Sequence, residues 1–142
     1  MVIDQNDADL LALCLWREAR GEGDAGMTAV CNVILNRVGK PGFANTLHSV
    51  IMNKNQFSSM SIPSDAEYSL HPSAGDIQFA FCQTLAQQAQ AGTLKDITLG
   101  AHYYDVAGTK NGWFTRVISG PDEMGTPEHP FLVQIRKQRF YK

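Results

Sequence analysis

The segment LWREARGEGDAG (15–26) carries the side chain best placed for acid–base chemistry. Leu11, Cys14 and Leu15 recur at helical spacing, which predicts one buried stripe on a helix running to about residue 20. Glu18 is the next position on that stripe, at the rim of the core. Desolvation there raises the pKa of a carboxyl and lets it donate a proton near neutral pH. Glu18 is therefore the candidate general acid.

The other charged residues of this segment have simpler structural interpretations. Arg17 and Arg20 lie off the Glu18 face of the helix, and cations near a helix C-terminus interact favourably with its dipole. Glu22 falls beyond the helix, so Glu22 and Arg20 are only candidate supporting residues. Asp24 is expected to cap the following helix.

Length and charge exclude several classes of protein. The chain has 142 residues, enough for one domain (1–142) with a core that needs neither disulfides nor metal. Its net charge of −2 gives no reason to expect nucleic acid or an anionic membrane as a partner. The longest early apolar run is too short to span a membrane and the acidic N-terminus is unlike a signal peptide. The three cysteines form no CxxC pair, which favours buried free thiols.

The order of elements predicts an α+β fold, with a helical N-terminal part and a small antiparallel sheet in the C-terminal part. The first helix is expected to begin at Asn6 or Asp7, and a short third helix at Asn45 or Thr46. A long loop over 53–75 is a candidate groove wall. A helix over about 74–90 should turn Ile77, Phe81, Thr84 and Leu85 inward, and strands are expected at 101–106, 113–118 and 131–142.

Several blocks of the chain together resemble the SleB/CwlJ-type cell wall hydrolases, the family of the spore-cortex-lytic enzymes. REARGEGDAGMTAVCNVILNRV (17–38) is similar to the EARGE signature of that family. The likeness continues through PGFANTLHSVI (41–51), QFSS (56–59), GAHYYDV (100–106), WFTRVI (113–118) and RFYK (139–142). It covers about residues 9–142, and the order and spacing of the blocks make it specific.

This resemblance implies a lysozyme-like α+β catalytic domain that cuts the glycan strand of peptidoglycan between MurNAc and GlcNAc, usually as a lytic transglycosylase. The first glutamate of EARGE corresponds to Glu18. In that mechanism one glutamate protonates the glycosidic oxygen and then takes the proton of the MurNAc C6 hydroxyl, which leaves a 1,6-anhydro end. Neither a second carboxylate, a metal nor another cofactor is required.

A glycan groove needs apolar surface for sugar faces and polar side chains for hydroxyl and N-acetyl groups. One of Tyr103 and Tyr104 should face the cleft while the other packs inward, since neighbours on a strand alternate, and Tyr104 is favoured for packing. Each of these aromatic residues could equally be a core residue. The candidate substrate-binding residues are Gln56, Phe57, Ser58, His102, Tyr103, Tyr104, Trp113 and Thr115.

Two features depart from the family pattern. Members commonly end in Gly-x-His-x-Phe, whereas this chain has Arg136 in place of the glycine and Gln138 in place of the histidine. The segment SGPDEMGTPEHP (119–130) is longer than the usual connection and is a candidate for shaping the cleft or its specificity.

Other functions remain open at this stage. Water could replace the C6 hydroxyl, which would make the protein a hydrolytic muramidase or glucosaminidase with the same acid. A zinc-dependent amidase would need ligands such as His48, His71, His102 and His129, but these form no HxxE or HExxH motif. A non-catalytic glycan-binding wall protein could also keep the fold.

The expected partner is bacterial peptidoglycan, and the protein is expected to be a monomer. A catalytic domain without a signal sequence or a wall-binding domain is typical of a phage or prophage endolysin. Such an enzyme waits in the host cytoplasm until a holin opens the membrane. A piece of a longer enzyme is the competing interpretation.

Overall fold

A computed structural model describes residues 1–53 and 55–142 of the chain. The main helices come first and the strands last, so the predicted α+β architecture is confirmed. The helices are α1 (Gln5–Ala19), α2 (Gly23–Arg37), α3 (Leu47–Met52), α4 (Ser58–Ser61), α5 (Ile77–Ala91) and α6 (Gly112–Phe114). The strands are β1 (Tyr103–Val106), β2 (Phe131–Ile135) and β3 (Gln138–Tyr141), and a π-helical turn (Thr115–Ser119) follows α6.

Helix α1 is the centre of the larger hydrophobic cluster and packs against α2, α3, α4 and α5. Its stripe of Leu11, Cys14 and Leu15 is fully buried, as predicted. The helix begins earlier than predicted, because the chain is extended at Asp4 and the Asp4 carboxylate accepts a hydrogen bond from the Asp7 amide at 2.8 Å. The predicted caps Asn6 and Asp7 are therefore wrong.

Helix α2 is buried on two sides. Val30, Cys31 and Ile34 join the cluster around α1, while Ala29 and Val33 join a second cluster with the sheet. The predicted cap at Asp24 is wrong: Glu22 is the N-cap residue, without a side-chain cap, and Asp24 lies inside the first turn. The helix thus starts two residues earlier than predicted, at Gly23, whose φ of 74° glycine adopts without steric cost.

The predicted loop over 53–75 contains the short helix α4. A helix of one turn leaves no periodicity in the sequence, so it could not be predicted. Arg17 of α1 fixes α4 in place, since its buried guanidinium donates to the carbonyl of Ser59 and to that of Leu70, both at 3.0 Å. The preceding helix, α3, is capped by Thr46, one of the two predicted residues.

Helix α5 lies along α1 and buries Cys82, Leu85 and Ala86. The predicted inward positions Leu85 and Phe81 are confirmed, the latter as partly buried. The predicted inward positions Ile77 and Thr84 are wrong, because both are exposed and Ile77 is 84% exposed in the first turn.

The three strands form an antiparallel sheet in the order β1-β3-β2, with Tyr104 paired to Phe140. The predicted strand over 113–118 is wrong. Asn111 caps α6 by accepting a hydrogen bond from the Phe114 amide at 3.1 Å, so the chain starts a helix there. The last predicted strand, 131–142, is a hairpin of β2 and β3.

The hairpin turn explains one departure from the family pattern. Arg136 lies in the turn with φ 54°, a left-handed conformation that glycine adopts without steric cost. The glycine that family members usually have there therefore suits the backbone, and Arg136 occupies a strained position. Gln138, in place of the histidine, is buried at the start of β3, and its side-chain oxygen has no hydrogen-bond partner within the described residues.

Cys14, Cys31 and Cys82 are free and buried, as predicted. Burial raises the pKa of the Cys31 and Cys82 thiols to about 12. Within residues 1–53 and 55–142, no helix combines the length and apolar character needed to cross a membrane.

The two faces of α5 predict opposite responses to truncation. Leu85→Ala should lower the free energy of unfolding by about 2–5 kcal/mol, because it removes a side chain that is 3% exposed. Ile77→Ala, on the same helix, should change it by less than about 0.5 kcal/mol. Urea denaturation of both variants measures the difference. Equal losses would show that α5 presents another face to α1.

Candidate active site

Glu18 lies at the last turn of α1, where the helix passes from the core into a cleft. Its carboxylate accepts a hydrogen bond of 2.5 Å from the hydroxyl of Ser59 in α4. Arg17, the preceding residue, binds the carbonyl of the same Ser59. Two neighbouring residues of α1 therefore hold both the side chain and the backbone of Ser59, and the Glu18 carboxyl has a defined orientation.

The surroundings of Glu18 suit a proton donor. Burial raises the pKa of the Glu18 carboxyl above its usual value, the hydrogen bond from Ser59 opposes this rise, and the nearby carboxylates of Asp65 and Glu67 add to it. Desolvation is the largest of these effects, as the sequence predicted from the helical stripe.

The cleft has a volume of about 400 Å³. We call it the Glu18 cleft. Polar and aromatic side chains from α1, α2, β1, α6 and the 55–57 loop meet in it. Its lining residues are Glu18, Arg37, Asn55, Gln56, Phe57, Tyr103, Tyr104, Asp105, Asn111, Trp113 and Phe114.

Arg37, at the end of α2, joins the walls of the Glu18 cleft. Its guanidinium donates to the carbonyl of His102 at 2.8 Å and to the side-chain oxygen of Gln56 at 3.0 Å. It also lies 5.1–5.9 Å from the ring centroids of Phe43, Phe57 and Tyr103. Burial lowers the pKa of Arg37, but a guanidinium stays protonated at any physiological pH.

The aromatic residues of the cleft differ in how much surface they offer. Trp113 is 53% exposed and presents a flat apolar face, which suits a sugar ring. Phe57 is only 2% exposed, so it forms the floor and offers little contact surface. Tyr103 and Tyr104 both line the cleft, so the expectation that only one of them faces it is wrong. Tyr104 also stacks on Phe140, 5.6 Å between centroids, which fits the predicted packing role.

Three predicted binding residues lie outside the Glu18 cleft. Ser58 donates to Asp65 at 2.5 Å, and its neighbour Ser59 makes the contact with Glu18 instead. The His102 ring turns away, with Nδ1 2.9 Å from the carbonyl of Lys142. Thr115 lines an adjacent cavity, because the chain is helical there rather than extended.

The two candidate supporting residues also lie apart from the cleft lining. Arg20 donates to the carbonyl of Trp16 at 2.9 Å, lies over the Trp16 ring and pairs with Glu67. These contacts match its structural interpretation at a helix C-terminus. Glu22 is the N-cap residue of α2 and makes no side-chain cap.

The sequence interpretation missed Ser59, Arg37 and Asn111. Ser59 adjoins the predicted Ser58, but the orientation of a one-turn helix has no signal in the sequence. Arg37 belongs to the NRV end of the α2 block. An arginine at the end of a mainly apolar helical segment was the signal that the sequence offered. Within residues 1–53 and 55–142, no three His, Cys, Asp or Glu side chains are grouped as metal ligands would be.

Comparison with known families now adds to the geometry. A family model described as cell wall hydrolase matches residues 21–126, more than half of the chain. The protein belongs to the cell wall hydrolase family. The match begins after Glu18, so the position of the acid rests on the structure and on the sequence signature. The predicted SleB/CwlJ-type family is confirmed.

Curated relatives of this cell wall hydrolase include spore cortex-lytic enzymes. The one from Bacillus cereus is 43% identical over 56 residues, which are 39% of this chain and 22% of the relative. The one from Bacillus subtilis (strain 168) is 42% identical over 55 residues, which are 39% of this chain and 18% of the relative. The match thus spans about a fifth of the length of these relatives.

Two solved structures resemble the cell wall hydrolase over nearly its whole length. The catalytic domain of the germination-specific lytic transglycosylase SleB from Bacillus anthracis superposes with a TM-score of 0.70 at 28% identity, covering 98% of this chain and 96% of that one. The catalytic domain of Bacillus cereus SleB gives a TM-score of 0.70 at 29% identity, covering 98% and 91%. The predicted fold is confirmed, whereas the roles of the individual site residues stay predictions.

The raised pKa of Glu18 predicts a pH-dependent effect of Glu18→Gln on stability. A carboxyl whose pKa is higher in the folded state stabilises the fold fully below its unfolded pKa, and this contribution is lost as pH rises through the folded pKa. Glutamine does not titrate and can still accept from Ser59. The variant should therefore gain stability over the wild type as pH rises above about 4.3, the ordinary pKa of a glutamate.

Urea denaturation at several pH values measures this gain. Glu22→Gln is the matched control, because Glu22 lies outside the cleft lining. A difference from wild type that is the same at every pH, or equal for both variants, would contradict a desolvated Glu18.

Proposed function

We propose that this cell wall hydrolase cleaves the glycosidic bond between MurNAc and GlcNAc in peptidoglycan as a lytic transglycosylase, with Glu18 as the only acid and base. The observation that carries the proposal is the partly buried Glu18 carboxyl, whose pKa is raised and which Ser59 orients in a cleft with an exposed tryptophan. The lytic transglycosylase activity of the similar SleB domain supports it.

The first step is the departure of the sugar on the reducing side. The protonated Glu18 gives its proton to the glycosidic oxygen, and the bond from MurNAc C1 to that oxygen breaks. An oxocarbenium-like centre develops on C1 while Glu18 becomes a carboxylate. The raised pKa of Glu18 increases the fraction of its carboxyl that is protonated, which is the form that starts this step.

The second step closes the product and restores the enzyme. The Glu18 carboxylate takes the proton of the MurNAc C6 hydroxyl, and O6 bonds to C1 to give the 1,6-anhydro sugar. No water is consumed and Glu18 is protonated again. The Ser59 hydroxyl donates a hydrogen bond to the Glu18 carboxyl group in both steps. Arg17 fixes the backbone of Ser59.

The cleft side chains suit an N-acetylated sugar polymer. Gln56 accepts from Arg37 through its oxygen, which turns its amide nitrogen outward as a donor for acetyl or hydroxyl oxygens. Trp113 offers the apolar face on which a sugar ring can stack. Arg37 fixes Gln56 relative to β1, because it donates to the Gln56 side chain and to the carbonyl of His102, the residue before β1.

Hydrolysis with the same acid is the second candidate function, and one observation favours it. Asp105 lines the Glu18 cleft, so a second carboxylate is available to activate a water. One of its oxygens accepts from the Val106 amide at 2.7 Å. The product would then carry a reducing end in place of the anhydro ring.

Glu18→Gln should abolish wall clearing without loss of the fold. Glutamine can neither donate nor accept the proton, so the rate should fall by about 10²–10⁴-fold, while sedimentation with purified cell walls remains. Turbidity of a wall suspension measures the rate. Glu22→Gln is the control and should clear walls about as fast as wild type. Clearing by Glu18→Gln would place the acid elsewhere or indicate another kind of enzyme, and loss of clearing without wall binding would indicate misfolding.

Mass spectrometry of the digested wall should identify 1,6-anhydro-MurNAc ends, each one water lighter than a hydrolytic end. Asp105→Asn should leave this product unchanged if transglycosylation holds. Reducing MurNAc ends that disappear in Asp105→Asn would establish hydrolysis with Asp105 as the base.

The role in host-cell lysis stays a prediction from the sequence, as do the monomeric state and the cytoplasmic location before holin action. The SleB domain from Bacillus anthracis is a germination-specific enzyme, and this specificity belongs to that protein.

A further inference from the structure

A second and larger cavity lies beside the Glu18 cleft. It has a volume of about 590 Å³, and we call it the side cavity. Asn111 lines both spaces, so the side cavity adjoins the cleft at the start of α6. Part of its wall comes from the 119–130 segment, the candidate for shaping the cleft or its specificity. Its principal lining residues are Lys110, Asn111, Thr115, Arg116, Gly120 and Gly125.

The side cavity is cationic. Lys110 and Arg116 line it, and no acidic residue does. Each makes only a long hydrogen bond to a main-chain carbonyl, 3.4 Å to Pro121 for Lys110 and 3.3 Å to Gly112 for Arg116. In residues 1–53 and 55–142 neither forms a salt bridge. Their charges are therefore available to a ligand.

Two of the three acidic residues of the 119–130 segment are engaged with the backbone. Glu123 accepts from the Gly108 amide at 2.5 Å, and Asp122 accepts from the Met124 amide at 3.1 Å. Both side chains are absent from the cavity lining. Neither carboxylate therefore occupies the place that an anionic ligand would take.

Thr115 lines the side cavity and carries a polar group without a partner among the described residues. The hydroxyl oxygen of Thr115 is buried and has no partner within the part of the chain described. Gly120 and Gly125 form the wall, and a Cβ on Gly120 would lie 2.7 Å from the Gly125 carbonyl oxygen. The two backbones meet closely because neither residue carries a side chain, which leaves the cavity unfilled.

We propose that the side cavity binds a carboxylate of the short peptide that branches from the lactyl group of MurNAc. This inference rests on the proposed function, since it assumes a glycan strand in the Glu18 cleft. The peptide must leave the strand sideways, and it carries free carboxylates. Lys110 and Arg116 would pair with a carboxylate. The enzyme then prefers strands that carry their peptides.

The double variant Lys110→Gln/Arg116→Gln tests this assignment. Two substrates are compared: peptidoglycan freed of phosphate-bearing polymers, and the same strands after an amidase has removed the peptides. Wild type should show a kcat/KM about tenfold higher on the peptide-bearing strands, because a charge-assisted pair contributes about that factor. In the double variant the ratio of the two kcat/KM values should fall towards one, because KM rises on the peptide-bearing strands.

A control of equal charge is Lys95→Gln/Lys137→Gln, in which two exposed lysines outside the side cavity are neutralised. It should keep the wild-type ratio. A double variant of the side cavity that also keeps this ratio would overturn the inference and leave the proposed function standing. Wild type that cuts neither substrate would instead refute the proposed function.

Binding without catalysis gives an independent measurement. The free wall peptide, titrated into Glu18→Gln, should shift the amide resonances of residues 110–127, and Lys110→Gln/Arg116→Gln in that background should weaken the affinity about tenfold. Absence of shifts, or shifts that the double variant leaves unchanged, would overturn the assignment whatever the kinetics show.

Discussion

The buried guanidinium of Arg37 is the interaction on which the Glu18 cleft depends. It bonds the residue that precedes β1 through the His102 carbonyl and the 55–57 loop through Gln56. A buried charge is costly unless polar groups surround it. Two oxygens and the faces of three rings do so here, and they come from three parts of the chain: residue 43, residues 56–57 and residues 102–103. The walls of the cleft are therefore fixed to one end of α2.

One face of α1 stabilises the fold, and the last turn of the helix carries the candidate catalytic group. Its buried face packs on α5, while its last turn directs Arg17, Glu18 and Arg20 in three directions. Arg17 holds α4, Glu18 enters the cleft and Arg20 closes the helix end. The charges that crowd together in the sequence thus act in separate places. A helical turn achieves this because successive residues are rotated by about 100°.

Helical periodicity in the sequence predicted the elements that are buried along one face. The elements that it did not predict are determined by local capping. The stripe through Cys14 to Glu18 was visible because α1 is buried along one face. The strand expected at Trp113 is helical because Asn111 caps a turn there, and alternating apolar residues carry no information about that cap. Ser59 and Arg37 bind groups distant in the chain, so only the fold reveals them.

The fixed interval between Asp4, which starts α1, and Glu18, near its end, has a consequence for fusing this domain to others. One residue inserted between Asp4 and Arg17 would rotate Glu18 by about 100° and bring Arg17 towards the cleft. Ile3 is buried and its carbonyl accepts a hydrogen bond from Gln90 at 3.2 Å, so a residue added before Ile3 would leave both this packing and the helical phase unchanged. The N-terminal flank is therefore suited to carry an appended module, whereas the number of residues between Asp4 and Glu18 must not change.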